Sequence, residues 1–205
     1  MFVAGMVATA PFLAAAQKGP DLKLPYEELE SPIPGQANRV ALFYSYTCPY
    51  CRQFHPLLSS WAATVPSNVR ILYTPLPPSP DLDAVGVIAH YAVRKVAPSK
   101  LRVYESELYE RIGGGANERS PMTYLRAADK VGISPDAMRL AAAGKDAMQF
   151  YARCVDRIRS YNVTRTPSVG ICGLHMVSPD NANQDPESFL AVINGLLSQC
   201  LNYRV

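Results

Sequence analysis

Apolar residues in this chain follow two rhythms. Val40-Ala41-Leu42-Phe43-Tyr44 is an unbroken apolar run, the pattern of a strand buried on both faces, and a strand is expected over Arg39 to Ser45. From Thr47 to Thr64 the spacing becomes helical, with Phe54, Leu57, Leu58 and Trp61 on one side. Pro56 removes one rung from that helix's hydrogen-bond ladder and should kink it. Val69 to Thr74 reads as a second strand, stopped by Pro75, Pro77, Pro78 and Pro80.

The pattern then turns helical from residue 81 to about 161. Val85, Ile88, Ala89, Ala92, Val93 and Val96 share one face, and Leu101, Tyr104, Leu108 and Ile112 another. Gly113-Gly114-Gly115 marks a turn, while Ser120-Pro121 and Ser134-Pro135 match an N-cap followed by the first helical position. Short strands at Pro167 to Cys172 and Leu174 to Ser178 are joined through Gly173, and a last helix is expected from about Pro186 to Leu201. Without the block 81–161, the remainder alternates as a small α/β sandwich.

Composition narrows the class. Hydrophobic residues are 48% and charged residues 18% of the 205, enough for a substantial core. The net charge of +3 is scattered, with no basic cluster interleaved with aromatics, so nucleic acid is not an expected partner. Met1 to Ala16 carries no charge and ends Ala14-Ala15-Ala16, like the apolar region and cleavage site of a secretory signal, although no basic segment precedes it. A short buried helix is the alternative; Gly5 and Pro11 break the run, which is too short for a stable membrane span. Export to an oxidising compartment suits the five cysteines. Residues 17–38, with Pro20, Pro25, Pro32 and Pro34, are expected to form an extended leader.

The chemistry concentrates at Cys48-Pro49-Tyr50-Cys51, directly after the first strand. There the first sulfur meets the free N–H groups and dipole of a helix start, which favour a thiolate. Pro49 fits the first helical position. Cys48 is expected to be the exposed nucleophile and Cys51, one turn on, the buried resolving thiol. Zinc would need two further ligands; His55 could be one, but no second cysteine pair at zinc spacing exists, so no metal and no cofactor are expected. His90 and His175 show no partner spacing and read as structural or surface histidines.

Two motifs carry a resemblance. Phe43-Tyr44-Ser45-Tyr46-Thr47-Cys48-Pro49-Tyr50-Cys51, with Pro56 five residues on, and Val163-Thr164-Arg165-Thr166-Pro167-Ser168-Val169 are similar to the active-site and cis-proline segments of the thioredoxin superfamily. With the helical insertion, the order of elements resembles DsbA-like thiol-disulfide oxidoreductases over roughly Arg39 to Leu201. The resemblance implies an α/β thioredoxin fold made of residues 39–80 and 162–205, with residues 81–161 as an inserted helical domain. It implies a periplasmic or otherwise exported enzyme that introduces or exchanges disulfides in unfolded or partly folded exported proteins and is reoxidised by a membrane partner. Pro49, Tyr50, Thr166 and Pro167 would contact substrate, with Pro167 in cis beside the sulfurs. A disulfide isomerase or reductase, or a non-catalytic peptide-binding chaperone, are the alternatives on the same fold.

The resemblance also exposes departures. DsbA-like enzymes often bury an acid six positions before the first cysteine, paired with a lysine on the next strand; here Leu42 and, by approximate alignment, Leu72 stand there. Deprotonation of Cys51 would then rely on water or substrate. Tyr50 stands where the DsbA type usually carries histidine. Lowering a thiol from about 8.5 to about 5 takes roughly 5 kcal/mol, of which a helix dipole supplies at most about 2 kcal/mol. Direct hydrogen bonds to sulfur, from the N–H groups of Tyr50 and Cys51, must supply the rest, and an oxidant weaker than about −120 mV is expected. In the family's arrangement the hairpin turn and the end of the last helix lie at one pole, so the resemblance makes Cys172–Cys200 the preferred second disulfide, with a pairing that involves Cys154 as the alternative and the thiol left over expected to be buried and inert.

Overall fold

The computed structural model describes residues 24–77 and 84–202. The signal-like segment 1–16 lies outside the described residues. Five strands form one mixed sheet in the order β1-β5-β4-β2-β3. The central strand β2 (Arg39–Tyr44) runs parallel to β3 (Arg70–Pro75) and antiparallel to β4 (Ser168–Ile171). Next to β4 lies β5 (His175–Val177), and the expected leader carries an edge strand, β1 (Glu27–Glu28), antiparallel to β5. Two exposed glutamates gave no strand signal; pairing with β5 alone makes them one.

Alternation along β2 divides the core. Val40, Leu42 and Tyr44 face a large cluster that includes α1 (Pro49–Ala62) and α7 (Pro186–Asn202), while Ala41 and Phe43 face a smaller one with Tyr161 and Met176. Phe54 of α1 meets Phe189 of α7 edge-on at 5.6 Å, and Trp61 Nε1 donates to Asn194 Oδ1 at 2.8 Å. Both faces of β2 are covered, which explains its continuous apolar run. The helix α1 continues through Pro56.

Between β3 and β4 lie α2 (Val85–Val96), α3 (Leu101–Gly113), α4 (Pro121–Lys130), α5 (Pro135–Ala142) and α6 (Lys145–Ser160). Ser134 caps α5 through its hydroxyl, which accepts from Ala137 N–H at 3.3 Å. Ser120 precedes α4 without such a bond. The end of α6 returns to the sheet's second face: Arg157 Nη1 donates to Thr74 Oγ1 at 2.8 Å, and Ile158 joins the cluster around Phe43.

Register corrects one alignment. Leu42 sits opposite Tyr73, whereas Leu72 sits opposite Ala41 and packs into the other cluster. The two leucines therefore lie on different faces of the sheet and cannot replace one buried ion pair.

Candidate active site

Cys48 is the N-cap of α1, and its sulfur accepts from Cys51 N–H at 3.4 Å. Pro49 follows at the first helical position, so the sharp turn from β2 costs no backbone hydrogen bond. Both cysteines are free thiols in this structure; Cys48 is half-buried and Cys51 is 2% exposed. Cys51 Sγ accepts from Ser45 N–H at 3.4 Å. Tyr50, next in the chain after Pro49, is 50% exposed.

The loop before β4 closes the site. The Thr166-Pro167 peptide bond is cis. Cys48 Sγ lies 3.2 Å from the Thr166 carbonyl oxygen, to which its thiol donates. Pro167 is buried and shares a cavity wall with Cys51. Residues 118 apart in sequence thus meet at one sulfur.

The two thiols are tuned apart. A hydrogen bond from the Cys51 thiol is the largest influence on Cys48; with the Thr166 side chain and the Cys51 and Tyr50 N–H groups it overcomes partial burial and lowers the Cys48 thiol to about 5. Burial, above all, pushes Cys51 far up, and its hydrogen bond to Cys48 adds to this. The direct bonds to sulfur inferred from sequence are present, but the strongest comes from the partner thiol.

A buried polar cluster stands behind Cys51, and sequence reasoning missed it. Glu105 of α3 is 3% exposed. Its Oε1 accepts from the Tyr44 and Tyr46 hydroxyls at 2.8 and 3.0 Å, and His90 Nδ1 lies 3.2 Å away. Its Oε2 faces His55 Nδ1 at 3.9 Å. Burial alone would raise the Glu105 carboxyl, but the hydrogen bond and charge of His90, then His55 and the Tyr44 hydroxyl, outweigh it and hold the group below its usual range. His90 is itself pushed down by burial, against the hydrogen bond and charge of Glu105. Cys51, His55, Glu105 and Tyr109 line one cavity of about 30 Å³, and His55 Nε2 is buried there without a protein partner. The overlooked signal was an acid inside an apolar stripe: Glu105 follows Tyr104 and precedes Leu108 by one turn.

Cys172, in the β4–β5 turn, is joined to Cys200, in the last turn of α7. Cys154 is a buried free thiol whose burial raises it to about 11. Among the described residues no cluster of three or more metal-ligating side chains occurs, and no helix is long and apolar enough to cross a membrane.

Residues 36–195 match the family model described as Thioredoxin. The thiol:disulfide interchange protein DsbA of Bordetella parapertussis is 30% identical over 76 residues, which span 36% of this chain and 35% of that relative's length. The N. meningitidis oxidoreductase NmDsbA1 superposes with a TM-score of 0.74 at 19% identity, covering 87% of this chain and 93% of that one. A Proteus mirabilis DsbA with the non-covalently bound peptide PWATCDS gives 0.73 at 17% identity, covering 87% and 96%. The fold is therefore the one seen in these structures: an α/β sheet with an inserted helical domain.

Proposed function

We propose, from the premise that the chain belongs to the thioredoxin family, that it is a DsbA-like thiol-disulfide oxidoreductase that oxidises thiols of exported proteins. The observation that carries this reading is the opposite tuning of two adjacent thiols, Cys48 lowered to about 5 and Cys51 buried and raised. In the oxidised pair, a substrate thiolate attacks Cys48 Sγ and the bond to Cys51 breaks. Cys51 leaves with the electron pair and takes up a proton. A second substrate thiolate then attacks the substrate sulfur of the mixed disulfide and expels Cys48 as a thiolate, so the substrate loses two electrons and the pair gains them. A thiol held near 5 is a good leaving group, which drives the second step forward.

The proton of Cys51 has a protein route. When the Cys51 thiol attacks a mixed disulfide it must lose its proton, and Glu105, whose Oε2 lies 3.9 Å from His55 Nδ1, lines the same small cavity as an anionic base. Glu105 thus does from the inserted domain what Leu42 cannot do from β2. Substrate would lie across Pro49, Tyr50, Thr166 and Pro167, where the exposed Tyr50 ring and the backbone before the cis-proline favour an extended peptide; the peptide complex of the P. mirabilis relative supports this reading. Export to the periplasm and reoxidation by a membrane partner complete the proposal, following the DsbA relatives.

The test is catalysed oxidation of a dithiol peptide, run beside refolding of scrambled RNase. The wild type should oxidise the peptide and unscramble poorly, and Cys48→Ala should abolish oxidation. Unchanged behaviour of Cys48→Ala would leave only a peptide binder, and efficient unscrambling would make the protein an isomerase.

A further inference from the structure

Away from the thiols, between the edge strand β3 and the helices α2 and α6, lies an open cavity of about 330 Å³. Arg70 from β3, Arg94 and Lys95 from the last turn of α2, and Arg153 and Arg157 from α6 all line it. No acidic residue lines it, and none of the five cations forms an ion pair among the described residues. Other arginines of this chain do pair, as Arg52 with Glu110 and Arg111 with Glu107.

Convergence of five like charges opposes folding. Arg153 and Arg157 stand one turn apart on α6, a like-charge spacing that is itself destabilising. Exposed cations can tolerate this by turning away into water, but two of the five are held. Arg94 lies over the Tyr73 ring at 5.4 Å. Arg157 is half-buried and donates to Thr74 Oγ1, a fully buried hydroxyl. A desolvated guanidinium with no carboxylate lacks its usual compensation, while its remaining N–H groups keep the fork geometry that fits oxyanions.

The geometry points to a binding site for a small polyanion carrying two or more phosphate-type groups. One such group can engage one or two guanidinium forks, so five cations around a single cavity match a ligand with several. The volume is at the lower end for small-molecule sites. Such phosphate chemistry has two sources, a soluble polyphosphate or a phospholipid headgroup, and the experiment separates them.

The full chain is titrated calorimetrically with inorganic pyrophosphate at low and moderate salt, and sedimented in parallel with phosphatidylglycerol vesicles. Saturable pyrophosphate binding, weakened by salt and by about tenfold or more in Arg157→Gln, supports the site with a soluble ligand. Binding to vesicles alone, lost in the same variant, supports it with a headgroup. Because Arg157 is half-buried, Arg94→Gln/Arg153→Gln, which changes only exposed positions, is measured beside it with the fold checked by circular dichroism. Absence of saturable binding to either probe, or equal binding by wild type and both variants, overturns the proposal.

Discussion

Cys48 and Cys51 share one helical turn, yet water reaches only the first, and this sets their protonation. With Cys48 lowered from an ordinary 9.0 to about 5, its thiolate contributes stability to the reduced protein that is fully present above pH 9 and lost as pH falls through about 5. The disulfide form has no such thiolate, so the reduced form gains on it across that window. Thiolate absorbance of the wild type should therefore titrate with a midpoint near 5, and Cys51→Ala should move it up because the largest stabilising bond is removed. A midpoint that stays put in Cys51→Ala would assign the shift to Thr166 and the helix-start N–H groups instead. Glu105 gives a second residue-scale prediction. Replacing it by Gln should slow attack by Cys51 on a mixed disulfide by about a hundredfold at neutral pH, while alkylation of Cys48 keeps its rate; equal mixed-disulfide lifetimes would remove the proton route. The same cluster ties stability to pH. His90, lowered by burial, makes the fold lose stability as pH falls below about 6.5, and Glu105, also lowered, adds a loss below about 4.5 that Glu105→Gln should lack.

Among the elements, β2 and β4 decide where the site stands, and their contact depends on a missing side chain. Gly170 of β4 lies opposite Ala41 of β2, and a Cβ there would run into the Tyr161 ring. Tyr161 is 1% exposed and packs edge-on against Phe43 at 5.2 Å, so the ring has nowhere to go. Gly170→Ala should cost about 1–3 kcal/mol in denaturant unfolding; a change below a few tenths would show that Tyr161 can move. Elements were largely legible in sequence because their periodicities are strong: the helix over Thr47 to Thr64 appears as Pro49–Ala62, and the second strand as Arg70–Pro75. The edge strand Glu27–Glu28 was not, since its two residues are exposed and only β5 gives them a role.

For the whole molecule, the disulfide Cys172–Cys200 ties the β4–β5 turn to the end of α7 across a separation of 28 residues. Closing a loop of that length is worth about 3–4 kcal/mol in the chain-entropy account. Cys172→Ala/Cys200→Ala should lower unfolding stability by roughly that amount while Cys48 keeps its low titration midpoint, because the groups that lower it, in Cys51, Thr166 and Tyr50, are not part of the bridge. Unfolding at an unchanged denaturant concentration would show that packing of α7, not the bridge, holds this pole.

The sequence alone determined the element order, the helical insertion and the thiol pair at a helix start, because each is written in local spacing or in a contiguous motif. It could not reveal Glu105, His90, Tyr44 and Tyr46 as one cluster, since they come from β2, the loop after it and two inserted helices, and a carboxylate in an apolar stripe gains its partners only when those elements pack. Nor could it tell that Leu42 faces Tyr73 and not Leu72, which is a matter of register. Tertiary structure decided how Cys51 is buried and which carboxylate shares its cavity, because burial and charge pairing depend on distances in space that spacing along the chain does not encode.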